Sequence, residues 1–185
     1  MTNKNYTLSS KGATACTNLG ACYIGVDVGS DFAVAAVTGS GKVHRIVSGH
    51  GWHIGRVVGV VTQMRSEFLA RPTPMQERRT FAVAVEVAPR STFGKFGGAG
   101  TALYCGELVG RMNDLADMLE WSGFVVSRLS PRFIPGLKVK ADIFAKYHPE
   151  TAGWRTNEHE RDAVAIAVAG ISHAALAVAK KKAGL

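Results

Sequence analysis

The sequence predicts an α/β domain built on a mixed five-stranded sheet, three antiparallel strands followed by two parallel ones, flanked by helices. Short apolar runs separated by glycine-containing reversals occupy the early part of the chain, the pattern of an antiparallel meander. Later apolar runs alternate with segments of helical period, which demands right-handed parallel crossovers. The 185 residues, 46% hydrophobic and 19% charged, suffice for one core, exclude general disorder, and are too few for two full-sized domains.

Each element follows from local pattern. Residues 1–21 are rich in Ser, Thr and Asn, have no apolar h-region, and read as a flexible leader without a secretion signal. Residues 23–28 (Tyr-Ile-Gly-Val-Asp-Val) form an almost wholly apolar strand ended by Gly29-Ser30. A second strand over 32–38 turns at Gly39-Ser40-Gly41 into a third over 42–47. Val57, Val61, Met64 and Phe68 share one helical face, and Pro72 and Pro74 close that helix. Residues 81–87 are a buried strand by composition. A glycine-rich loop at 94–100 leads to a helix carrying Leu108, Met112, Leu115 and Leu119, and 124–129 is the last strand. After Pro131 and Pro135, residues 138–147 make a short basic helix. The final helix, 157–180, sets Val164, Val168, Ile171, Ala175 and Val178 on one stripe, and 181–185 is a basic tail. The chain has no internal repeat and no linker to a second domain.

Twenty-two basic against fourteen acidic residues leave a formal charge of +8. That surplus on a small domain suits a polyanionic partner, nucleic acid before an acidic membrane. The three cysteines, Cys16, Cys22 and Cys105, form no C-x-x-C pair, which argues for a reducing cytoplasmic compartment and against a disulfide scaffold or structural zinc site. The longest uncharged stretch, 163–179, is too short and too alanine-rich to span a membrane.

Two carboxylates sit where apolar residues belong. Asp27 and Glu86 each interrupt a buried strand, and a carboxylate there is costly unless it is paired or binds a metal. Arg90 or Arg45 could supply an ion-pair partner; the alternative is a metal site. The last helix adds a third position. His159 and Asp162 share a face at its start, with Glu158 and Asp162 a second solution. Glu158 and Glu160 are explained by the helix dipole, but Asp162 abuts the apolar run Ala163-Val-Ala-Ile-Ala. Were these positions to converge, hard oxygen ligands would favour Mg²⁺ or Mn²⁺. Two such ions ~3.5–4 Å apart activate water and stabilise the leaving oxygen of an in-line phosphoryl displacement. A basic protein with such a site points to phosphodiester hydrolysis.

The ordered set Ile24-Gly-Val-Asp-Val-Gly-Ser30, Val83-Ala-Val-Glu86 and His159-x-x-Asp162-Ala-Val-Ala-Ile-Ala167 resembles the RuvC family of Holliday-junction resolvases, within the RNase H-like superfamily. The resemblance covers about residues 22–180, including Gly106-Glu-Leu-Val-Gly110 and the Lys138/Lys140 segment. It implies an RNase H-like nuclease domain, with Asp27, Glu86 and Asp162 as catalytic metal-binding carboxylates. His159 stands where many members have Asp, which leaves the charge of the ligand set open. Lys140, or else Lys138, looks like the family lysine near the scissile phosphate. The resemblance further implies a homodimer cutting opposed strands of a four-way DNA junction in a bacterial or phage-infected cell. Arg128, Arg132, Lys138 and Lys140 are candidate phosphate contacts. Arg90, Phe93, Lys95 and Phe96 form a candidate DNA-binding loop after Glu86, whose aromatics could stack on unpaired bases or anchor the loop. Competing readings keep the fold but change the substrate to other branched DNA or RNA–DNA hybrid, or remove catalysis and leave a junction-binding protein. An actin-like ATPase is disfavoured, because a second domain and a second phosphate loop are lacking.

Overall fold

The computed structural model describes residues 8–13, 20–51, 53–70, 80–87 and 99–182. Its strands are β1 (Leu8–Gly12), β2 (Ala21–Val28), β3 (Asp31–Thr38), β4 (Val43–His50), β5 (Thr80–Glu86) and β6 (Val126–Leu129). Its α-helices are α1 (Ile54–Leu69), α2 (Ala99–Trp121), α3 (Ala141–Tyr147) and α4 (Glu158–Lys182). They build one mixed sheet of order β1-β4-β3-β2-β5-β6. β2, β3 and β4 pair antiparallel, while β2–β5 and β5–β6 are parallel. Those five strands reproduce the RNase H-like arrangement expected from the sequence.

The sixth strand is a correction. β1 pairs antiparallel with β4 at the sheet edge, within the segment expected to be a flexible leader. Its residues are mostly exposed, so no apolar alternation marks it, and polar side chains hold it instead. Arg45 Nε donates to Ser10 Oγ at 3.3 Å, and the Lys11 ammonium pairs with Glu160. Smaller differences lie at element ends. β4 runs on to His50, α3 begins at Ala141 rather than 138, and Phe124 is buried just ahead of β6.

The sheet carries a core on each face. Side chains alternate along a strand, so Ile24, Val26 and Val28 of β2 join Val83 and Val85 of β5 against α1 and α2. Val57, Val61, Met64 and Phe68 of α1 and Met112, Leu115 and Leu119 of α2 fill that side, as the helical stripes predict. The opposite face, with Ala33, Ala35, Val37 and Ala84, takes α4 through Ala163, Val164, Ile166 and Ala167. On this face a Cβ at Gly25 would lie 2.0 Å from the Ala163 carbonyl oxygen and 2.4 Å from Ala167 N. Only glycine lets α4 seat this closely on β2. The start of α4 is fixed by a reciprocal cap: Glu160 N donates to Asn157 Oδ1 and Asn157 N to Glu160 Oε2, both at 2.9 Å.

Candidate active site at the strand ends

Asp27 and Glu86 occupy the face that meets α4, because each is out of phase with the valines on the other side of its strand. β2 and β5 run parallel, and their last registered pair is Val26↔Val85. Asp27 and Glu86 stand one step beyond it, at the carboxyl ends of both strands, where ligand crevices of open α/β sheets form. Asp162 and His159 come down from the first turns of α4. Asp27 and Asp162 are each only 8% exposed, and Glu86 is half-buried.

His159 Nδ1 lies 2.5 Å from Asp27 Oδ2. A Cβ at Gly29 would come within 2.8 Å of His159 Cε1, so this glycine makes room for the imidazole. The hydrogen bond to Asp27 raises the His159 pKa above its ordinary value, against the opposing effect of burial. Burial pushes Glu86 up to about 7, with the negative charges of Asp27 and Asp162 adding to the shift and Lys138 opposing it. Burial likewise raises Asp162, while a hydrogen bond from the Lys138 backbone opposes the rise. The three carboxylates are therefore within electrostatic reach of one another, and neighbouring like charges make ionisation harder. Asp31, at the start of β3, also acts on His159. Sequence reading passed over it because an acid beside a turn is commonplace.

The ion-pair explanation for the buried acids loses one proposed partner. Arg45 Nη1 instead binds Glu67 Oε2 at 2.8 Å; Arg90 lies outside the described residues. So do Phe93, Lys95 and Phe96, the rest of the candidate DNA-binding loop. The two lysines divide. Lys138 N donates to Asp162 Oδ1 at 2.6 Å and its charge acts on Glu86, whereas Lys140 is the exposed N-cap of α3. Arg128 is held on α2 by Asp117 at 2.5 Å and Glu120 at 2.9 Å, so its charge is already compensated. Arg132 is exposed and lies over the Phe133 ring at 5.1 Å.

Glu160 needs a different account from the helix dipole. It is 1% exposed, receives the Ser48 hydroxyl at 2.7 Å, and pairs with Lys11. This carboxylate serves the structure, tying α4 to β4 and β1. The spacing Asn157-x-x-Glu160 was the signal that could have revealed its capping role.

Three carboxylates and an imidazole are a donor set suited to Mg²⁺ or Mn²⁺. As they stand, no three His, Cys, Asp or Glu side chains among the described residues close around one ion. No described helix is long and apolar enough to cross a membrane.

No protein-family profile and no curated protein matches the chain. Solved structures similar to it at low identity include the following two. One is RuvC of T. thermophilus in complex with a Holliday junction substrate, with a TM-score of 0.45 and 20% identity over 84% of this chain and 94% of that one. The other is the large terminase nuclease of thermophilic phage G20c, with a TM-score of 0.41 and 8% identity over 79% of this chain and 80% of that one.

Proposed function

We propose that this chain is a divalent-metal-dependent endonuclease that hydrolyses phosphodiester bonds in branched DNA, with four-way junctions as its substrate and a homodimer as its working form. The observation that carries the reading is the grouping of Asp27, Glu86 and Asp162 at the strand ends, with burial first and the charges of Asp27 and Asp162 second raising Glu86 to about 7. Acids held together at such cost in a protein of net charge +8 suit a site that receives cations and a polyanion together.

In this reading Asp27, Glu86, Asp162 and His159 hold Mg²⁺ or Mn²⁺, which supplies activation of water and neutralisation of charge on the phosphate. Lys138, ahead of Lys140, faces the phosphate, since its charge already reaches Glu86. Arg132 and Lys140, both exposed, contact flanking phosphates. Such contacts fix position and carry no sequence preference by themselves.

The test is cleavage of an immobile four-way junction, the matched duplex and an RNA–DNA hybrid, with Mg²⁺ or Mn²⁺ and with chelator. Symmetric paired nicks in the junction, dependent on metal, are expected. Asp27→Asn should slow cleavage by at least about 100-fold while junction binding persists, because it removes charge and little shape. Equal cutting of duplex and junction would leave a general nuclease, and preferred cutting of the hybrid an RNase H-type enzyme. Tight junction binding with no cutting under any metal would make the chain a non-catalytic junction binder.

A further inference from the structure

Lys138 is the one non-glycine residue with positive φ among the described residues, at 57°. A side chain in that region is costly, and glycine would remove the cost. A lysine held there implies that the site uses its side chain. Two successive residues of α4 hold the backbone in place. Asp162 Oδ1 accepts from Lys138 N at 2.6 Å, and Arg161 Nε donates to the Val139 carbonyl oxygen at 2.6 Å. Arg161 Nη1 donates in turn to the Thr156 carbonyl oxygen at 2.6 Å, on the approach to α4. Arg161 is half-buried and bonds carbonyls rather than a carboxylate. Its fork geometry spans two acceptors, which a lysine cannot do in one fixed arrangement.

We infer that Arg161 is a positioning residue: it clamps the Lys138–Val139 segment onto α4, so that the Lys138 ammonium is presented to the carboxylate site from a left-handed backbone. The inference rests on the proposed hydrolysis for its purpose, but the clamp itself is observable without activity. Asp162 takes part twice, as a site carboxylate and as the acceptor that fixes the preceding loop. Through Arg161 the lysine is thus tied to the helix that carries Asp162 and His159.

Two measurements on the full chain test it. In metal-free protein, Arg161→Lys should speed amide exchange at Lys138 by at least about tenfold, leaving amides in the middle of α4 unchanged. In junction cleavage, Arg161→Lys and Lys138→Asn should each lower kcat about 10–100-fold, with KM moving less than about threefold. Asn tolerates the left-handed backbone and lacks the ammonium. The double variant should be no slower than the slower single one, because the clamp acts through the lysine. Unchanged Lys138 exchange in Arg161→Lys overturns the clamp, and so do losses that multiply in the double variant. Should the wild-type protein cleave nothing, the proposed function falls and the exchange measurement alone decides the clamp.

Discussion

Glu86 shows how one misplaced residue reports on a site. Its pKa of about 7 lies above the ordinary carboxylate value of 4.5, so the folded chain holds the proton more tightly than the unfolded one. The sign follows from linkage: stability from this group is intact below the unfolded pKa and is lost as pH rises to about 7. In chelator, Glu86→Gln should therefore be close to neutral near pH 4.5 and stabilising at pH 8. Discounted for the solvent screening of a half-buried group, the gain is about 1–2 kcal/mol. Denaturant unfolding at the two pH values reads it directly, and an equal effect at both would mean that burial beside Asp27 and Asp162 does not raise the proton affinity of Glu86. Asp27 and Glu86 were legible in the sequence because each breaks an apolar run. Glu160 was not, since an acid in a first helical turn has an ordinary explanation and its partner Lys11 is 149 positions away.

Among the elements, α4 carries the most structural responsibility. It brings Asp162 and His159 to the strand ends, and three features set its place: the absent side chain at Gly25, the reciprocal Asn157–Glu160 cap, and the Glu160 contacts to Lys11 and Ser48. Removing one member of a buried ion pair leaves the other uncompensated, at a cost of about 3–5 kcal/mol when both are fully buried. Lys11 keeps some exposure, so Glu160→Ala should destabilise by about 2–4 kcal/mol, read as a lower unfolding midpoint. A loss below about 0.5 kcal/mol would show that β1 and the α4 start are not joined through this carboxylate. The main strands and helices were legible because period separates them: apolar runs for the inner strands, and i, i+4, i+7 spacing for α1. β1 escaped because a mostly exposed edge strand carries no such period, and its pairing is set by β4.

At the scale of the molecule, the sheet order reconciles two demands. The antiparallel β2–β4 meander places Asp27 in the sheet interior, and the crossover through α1 lays β5 alongside so that Glu86 ends beside it. Each acid comes from a different part of the chain, so sequence could suggest their convergence only through the ordered resemblance, and topology supplies the geometry. Surface charge is unevenly available. Arg128 is compensated by Asp117 and Glu120, leaving exposed Arg132, Lys138, Lys140 and Lys146 as the cationic stretch leading to the acid cluster. Sequence composition gave the sum of charge but not this division, which depends on which side chains meet after folding.

If these acids form a cation site, calorimetric titration of Mn²⁺ into metal-free protein near pH 6.5, in two buffers of different ionisation heat, will register it. Saturable binding with release of on the order of one proton per chain is expected, since cations displace protons held by Glu86 and His159. The double variant Asp27→Asn/Asp162→Asn should lose both the binding and the proton release. Unaltered Mn²⁺ binding in that variant, or no binding by the wild-type chain at millimolar Mn²⁺, would mean that these acids do not form a cation site.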